Sequence, residues 1–296
     1  MEPDLKDPRY LYHEDGFEKQ NQETPALQAE MKPIPDCGEN SYRGNHKLEN
    51  RRALVTGGDS GIGRAAAIAL AREGADVAIQ YFPGEERDAQ EVAHYIEETG
   101  RKSLLLPADL RQDDVPAEIV RKVLAEFGGL DTLILNAGQQ ISQPSIEELP
   151  IKQVQDTFQV NIVSMFALVQ EALPHLPPGS SIVTTTSIQA FNPSAHLMDY
   201  AATKAAIANF TVTLAKQLAD KGIRVNGVAP GPIWTPIQLD QGQPKAALPK
   251  FGQDSLLKRA GQPVELAPVY VFLASNEASY VTAQIYGVTG GEAINL

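Results

Sequence analysis

From residue 51 onward, short runs of apolar residues alternate with longer stretches in which apolar positions recur every three or four residues. The short runs are rich in Val, Ile, Leu and Thr. They predict strands over Ala53–Thr56, Val77–Tyr81, Ser103–Leu106, Thr132–Leu135, Ser181–Thr186, Ile223–Val228 and Gln284–Val288. The longer stretches predict helices over Arg64–Arg72, Glu85–Glu98, Val115–Phe127, Lys152–Leu173, Met198–Asp220 and Val264–Ala274. Helix ends are marked by Gly100, by Gly128-Gly129 and by Pro174. Strand–helix alternation of this regularity predicts an α/β domain: a doubly wound, seven-stranded parallel sheet with helices on both faces. Residues 230–255 carry many Pro, Gly and Gln and predict a long loop or lid.

Residues 1–50 break the pattern. They have no sustained period and hold six basic and eleven acidic residues. Such a segment buries little on its own. It is a disordered tail, or an arm lying on the body or on a neighbouring subunit. Tyr10, Tyr12, Phe17, Tyr42 and the Pro33/Pro35 pair favour an ordered arm. The division expected is therefore an N-terminal extension, 1–50, and one catalytic domain, 51–296.

Charge and composition narrow the function classes. Net charge is −12, which argues against a nucleic-acid partner. No apolar run reaches membrane-span length, and the N-terminus lacks the basic-then-apolar layout of a secretory signal. The single cysteine, Cys37, fits a reducing compartment, so a cytoplasmic location is expected. No metal-ligand pattern is apparent.

Candidate chemistry centres on Tyr200-Ala-Ala-Thr-Lys204. Residues four apart share a helix face, so a phenol and an ammonium can meet there. A cation beside a phenol favours the phenolate and moves its pKa toward the range useful for proton transfer. Ser187 closes the fifth strand thirteen residues upstream and brings a hydroxyl. The turn Gly57-x3-Gly61-x-Gly63 lies between the first strand and first helix, where a helix N-terminus suits a pyrophosphate. On its own each piece has a plain structural reading: a surface lysine, a strand-end cap, a tight turn.

Together, Thr56-Gly57-x3-Gly61-Ile62-Gly63, Asn136-Ala137-Gly138, Asn161, Ser187, Tyr200-x3-Lys204 and Pro230-Gly231 resemble the short-chain dehydrogenase/reductase family across about residues 50–296. The finer sequences at 56–64, 35–39, 187–190 and 230–235, with the long arm, resemble its bacterial general-stress-type oxidoreductases. Some of those are described as NADP-dependent aldehyde reductases. The resemblance implies a Rossmann-type fold and hydride transfer between a nicotinamide and a carbonyl/alcohol pair on a small molecule. It implies Tyr200 as general acid/base and Lys204 as the group that lowers its pKa and binds the nicotinamide ribose. Ser187 would hold the substrate oxygen, and Asn161 a water linking Lys204 to solvent. Gly57, Asp59, Ser60, Gly61, Ile62 and Gly63 would meet the pyrophosphate side of the cofactor. Tyr81, Asp109 and Leu110 would meet its adenosine end. Asn136, Ala137 and Gly138 would line its middle, and Pro230, Gly231, Ile233 and Thr235 its nicotinamide end. For Asp109 a helix N-cap is the rival reading. Trp234 reads equally as a substrate-entrance residue or a packed lid residue. His175 and His196 take no catalytic role, although His196 lies between Ser187 and Tyr200.

No acid stands at the end of the second strand, where Gln80-Tyr81-Phe82 occurs. That favours NADP(H) over NAD(H). Arg64 and Arg87 are the candidate partners for a 2′-phosphate. The family also implies a homotetramer built through the helices at 114–127 and 152–173 and through the last helix and strand. Two rivals are weighed: a dinucleotide sensor without turnover, and an enoyl reductase of the same fold. The complete Ser, Tyr, Lys and Asn set opposes the first, and the three-residue Tyr–Lys gap opposes the second.

Overall fold

A computed structural model describes residues 5–12 and 15–294. All seven expected strands form: β1 (Arg52–Thr56), β2 (Asp76–Tyr81), β3 (Ser103–Pro107), β4 (Thr132–Leu135), β5 (Ser181–Thr185), β6 (Arg224–Pro230) and β7 (Ile285–Val288). They make one sheet in the order β3-β2-β1-β4-β5-β6-β7, with every pairing parallel. Its central strands are buried on both faces, so they read as unbroken apolar runs rather than alternating ones.

Two helix layers cover the sheet. Helices α1 (Gly61–Arg72) and α2 (Glu86–Glu97) pack with α7 (Ala267–Ala274) on one face, around Val55, Ile68, Ile79 and Tyr270. On the other lie α3 (Val115–Phe127), α4 (Ile151–Phe158), α5 (Ser164–Ala172) and α6 (Met198–Leu218), around Leu54, Leu133, Ile182 and Ile207. The run of alanines in α1 is fully buried. Small side chains there let the helix lie close against the sheet and hold its N-terminus at the β1 end.

The single helix expected over 152–173 is not continuous. A wide turn at Gln159–Val163 separates α4 from α5. Inside it the Asn161 side chain turns away to bond Gln139 and Thr203, and the Ser164 hydroxyl donates back to the Val160 carbonyl at 2.6 Å. Such wide turns are inserted where a side chain must be aimed out of the helical register. Elsewhere the expected bounds shift by a few residues: α1 starts at Gly61, β6 runs on to Pro230, and the last helix starts at Ala267.

The arm packs on the body. Phe17, Ala26 and Met31 are buried with Trp234, Leu239 and Leu248 in a separate apolar cluster at the sheet's C-terminal end. Phe17 stacks on Trp234 with ring centroids 3.7 Å apart and planes 5° from parallel, and the Trp234 indole N–H donates to the Pro33 carbonyl at 2.8 Å. The lid is loop with single helical turns at Pro236–Gln238 and Leu248–Lys250.

Candidate active site

At the C-terminal end of the sheet, a cleft of about 400 Å3 opens where β1 and β4 diverge. This is the switch point of a doubly wound sheet, where crossovers leave to opposite faces and the strand ends stand apart.

The site begins with Thr56, the last residue of β1. Its hydroxyl accepts from the amides of Asn136 (3.0 Å) and Ala137 (3.1 Å) at the end of β4. Asn136 replies through its amide group to the Gly57 carbonyl at 3.1 Å, and its Oδ1 accepts from the Thr185 hydroxyl at 3.2 Å. The ends of β1, β4 and β5 are thus tied together by side chains. From β2, Gln80 accepts from the Gly57 amide (3.1 Å) and donates to Ala108 (2.8 Å), adding the ends of β2 and β3.

The glycine turn fits a closely approaching ligand. Gly57 and Gly61 have φ of +59° and +51°, a region that L side chains rarely adopt. A Cβ on Gly63 would lie 1.8 Å from the Gly57 carbonyl oxygen, so no side chain fits there. Ser60 precedes α1 without its side chain capping the helix, and the Gly61 amide donates instead to Gln28 Oε1 at 2.7 Å. Asp59 is buried beside the cleft, and its Oδ2 has no partner.

Tyr200 and Lys204 stand one turn apart on α6, with the ammonium 5.2 Å from the phenol ring centroid. Lys204 Nζ donates to the Thr185 carbonyl at 2.9 Å. Both side chains are buried, and burial disfavours charge on each. It pushes the Tyr200 phenol up to about 12, against a hydrogen bond with Ser187 that lowers it. It pulls Lys204 down to about 8. The lowering of the Tyr200 pKa expected from the neighbouring cation is therefore not found: desolvation sets the direction, and Ser187 supplies the opposing effect. Ser187 accepts from the Gln189 amide at 3.1 Å, capping the turn after β5, and its hydroxyl also hydrogen-bonds the Tyr200 phenol.

Ser187, Tyr200 and Lys204 all line the cleft, as do Gly57, Asp59, Ser60, Gly61 and Ile62. So do Asp109, Leu110, Asn136, Ala137, Gly138, Pro230, Gly231, Ile233 and Thr235. Three expected contact residues do not. Gly63 lies beneath the turn, against Gly57 and Asn136. Tyr81 is buried in the core of the α1–α2 face, because alternation turns it away while Gln80 faces the turn. Asn161 sits below Gly138; its Oδ1 accepts from the Gln139 amide at 2.7 Å, and its Nδ2 donates to the Gln139 carbonyl and to Thr203 Oγ1, both at 3.0 Å. Both amide protons are used within the protein, so its side chain fixes the chain after Gly138 rather than standing open to the cleft.

Other sequence alternatives resolve as well. Asp109 caps no helix: it accepts from the Arg111 amide at 3.0 Å and from both sides of its guanidinium. Arg64, on α1, is buried and paired with Glu39 at 2.8 Å and Glu91 at 3.1 Å, and Arg87 pairs with Glu30 at 4.0 Å. Neither meets the cleft, whereas Arg111, which sequence reasoning passed over, does. Trp234 is fully buried under Phe17 and is a packed residue, not an entrance. Thr56 and Gln80, quoted in the sequence only as members of their motifs, and Thr185 were given no role there; each is a polar residue at the end of an apolar strand.

Relatives agree with this geometry. A family model described as Enoyl-(Acyl carrier protein) reductase matches residues 57–292. The chain is 59% identical to Uncharacterized oxidoreductase YghA of Escherichia coli (strain K12), over 97% of this chain and 98% of that protein. It is 45% identical to NADPH-dependent aldehyde reductase 1, chloroplastic, of Arabidopsis thaliana, over 94% of this chain and 99% of that one. Among solved structures, a short chain dehydrogenase from Burkholderia cenocepacia J2315 in complex with NADP superposes with a TM-score of 0.77 at 34% identity. That match covers 83% of this chain and 98% of the other. A seven-stranded switch-point cleft, a glycine turn on its floor, a Tyr–Lys pair on its wall and relatives of this kind place the chain in the short-chain dehydrogenase/reductase family of oxidoreductases.

Proposed function

We propose that the protein is an NADP(H)-preferring reductase or dehydrogenase acting on a carbonyl/alcohol pair of a small molecule, with an aldehyde as the carbonyl class best supported. The observation that carries this reading is the convergence of Ser187, Tyr200 and Lys204 on the same cleft as the glycine turn. When bound there, the nicotinamide supplies or accepts the hydride. Tyr200, kept protonated by burial, gives its phenolic proton to the carbonyl oxygen in reduction and takes it back in oxidation. Ser187 Oγ–H holds that oxygen and stabilises the charge developing on it. Lys204, anchored on the Thr185 carbonyl, places its charge beside the phenol and restores the proton balance after transfer. Asn161 holds the Gln139 segment, and with it the position of Gly138. The three-residue gap between Tyr200 and Lys204 is the feature that favours carbonyl over enoyl reduction.

NADP(H) is favoured over NAD(H) on two grounds. The aldehyde reductase relative is named for NADPH, and the Burkholderia structure holds NADP. Moreover, the acids at this end are not a fixed wall of negative charge. Burial, joined by repulsion from neighbouring carboxylates, holds Asp59 and Glu85 well above the usual carboxylate range. Arg111 supplies a cation to the same cleft.

No helix among the described residues is long and apolar enough to cross a membrane. A cytoplasmic location is supported by the single, buried cysteine. A homotetramer is supported by Val163 and Phe166, apolar and about half exposed on and beside α5. The net charge of −12 supports a small-molecule partner over nucleic acid. The division into an arm, 1–50, and a catalytic domain, 51–296, is part of the same reading, its outermost residues lying outside those described.

The test is nicotinamide absorbance with NADPH, NADH and a panel of aldehydes and ketones. Tyr200→Phe is expected to reduce turnover by about 10²–10⁴-fold while NADPH binding stays near that of the wild type. A fully active Tyr200→Phe enzyme rules the proposed chemistry out.

A further inference from the structure

The arm does more than pack on the body. Its residues 24–26 line the cleft itself, as Asp59 and Ser60 do. Gln28 is buried, and its Oε1 accepts from the Gly61 amide, the first of α1, at 2.7 Å. Ser60, the residue placed to cap that helix, makes no such bond. The cap therefore comes from a residue thirty-three positions away in the chain. Cys37 grips the other side of the same residue: its thiol donates to the Gly61 carbonyl at 3.4 Å and accepts from Gln28 Nε2 at 3.3 Å. Gln28 is held in turn, because its own amide donates to the Asp88 carboxylate of α2.

The lid meets the arm at the same point. A Cβ on Gly61 would come within 2.8 Å of the Thr235 methyl, so the glycine turn and the start of the lid touch there. Pro25 lies over Gly84 beyond β2, where a Cβ would meet its ring at 3.2 Å. Thr24 hydrogen-bonds two lid residues: its hydroxyl donates to the Asp240 carboxylate and accepts from Gln241 Nε2 at 3.1 Å. The arm thus spans the cleft from the β2 end to the lid. The Burkholderia structure, matched over nearly its whole length, leaves uncovered a share of this chain about the size of the arm, whereas YghA matches almost all of it. The family model begins at residue 57, so the arm lies outside the segment it matches.

Resting on the dinucleotide reading of the cleft, we propose that the arm is a working wall of the cofactor site: Gln28 is a positioning residue for the glycine turn, and Thr24 latches the lid across the adenosine end. Both control how long the dinucleotide is held, and neither touches the reacting atoms. Removing the Gln28 acceptor leaves a buried amide unpaired and frees the turn. Removing the Thr24 hydroxyl unpins the lid without disturbing the turn.

The experiment uses the full chain loaded with NADPH and follows its release by stopped-flow fluorescence. Melting temperature and the pH profile of kcat are measured alongside. Gln28→Met is expected to weaken NADPH binding about tenfold, the equivalent of one lost buried hydrogen bond. Thr24→Val is expected to speed release several-fold, and Thr24→Ser to restore the wild-type rate. In all three the pH profile of kcat keeps its shape, because Tyr200 and Lys204 are untouched. A folded Gln28→Met or Thr24→Val protein that releases NADPH at the wild-type rate overturns the proposal, even if it melts earlier. Should Gln28→Met fail to fold, the Thr24→Val and Thr24→Ser pair decides it alone. A wild-type chain that binds neither NADPH nor NADH removes the dinucleotide reading, and the arm's role with it.

Discussion

The reactive pair is set by burial rather than by simple attraction. Tyr200 at about 12 stays protonated through the physiological range, as the proposed proton donor to a carbonyl should. Lys204 at about 8 is a cation at neutral pH that readily gives up its charge. Carbonyl reduction is therefore expected to hold steady up to about pH 8 and to decline above it as Lys204 neutralises, which a pH–rate profile for NADPH oxidation checks. The same shift bears on stability. The folded chain holds Lys204 below its ordinary 10.5, so between about 8 and 10.5 the unfolded chain binds the extra proton and stability rises with pH. Tyr200 acts in the opposite sense, its contribution falling as pH climbs from 10 toward 12. Lys204→Met should melt higher than the wild type at pH 7 by a few degrees, with the gap closing toward pH 10.5. A gap independent of pH would show that the buried ammonium is not its source. The sequence spacing brought these two residues together correctly, but it carries no measure of depth. That is why the direction of the Tyr200 shift could not be read from the pattern Tyr-x-x-x-Lys.

Elements position the site through their ends. The strands, the glycine turn and α6 were legible because buried parallel strands are continuous apolar runs and because helices keep their period. The break at Gln159–Val163 was not, since nothing in the period of apolar positions marks a widened turn, and the cause lies in Asn161 reaching across to Gln139 and Thr203. The polar ties at Thr56, Gln80 and Thr185 escaped for a related reason: they bond between strands distant in sequence. The glycines of the site differ sharply in what they tolerate. Gly63→Ala drives a methyl into the Gly57 carbonyl and should cost about 3 kcal/mol or more, with loss of NADPH binding. Gly138→Ala meets nothing nearer than Asn161 Oδ1 at 3.5 Å, and should change stability by less than about 1 kcal/mol. Denaturant titration of the two variants separates these outcomes. Similar losses in both would mean the turn is not as closely packed as described.

At the scale of the molecule, the doubly wound parallel sheet was legible from strand–helix alternation, whereas its order, β3-β2-β1-β4-β5-β6-β7, comes from the structure. The arm was legible only as a composition: its aromatics suggested order, but no local rule connects Gln28 to Gly61 or Phe17 to Trp234. Those contacts join segments far apart in the chain, and each half looks unremarkable alone. Half-exposed Val163 and Phe166 are the surface on which the proposed tetramer rests. Light scattering at micromolar concentration should give a mass near four times 32.0 kDa. Phe166→Glu should lower it, since a buried charge without a partner is strongly disfavoured. A wild-type mass of one chain would remove the tetramer.

Trp234 is the chain's single tryptophan, and it lies flat beneath an arm residue with its N–H on another. Indole emission shifts with solvation, so the protein carries its own optical gauge of whether the arm is seated at Phe17 and Pro33. Every spectrum taken during ligand addition or unfolding reports on that seam without any label.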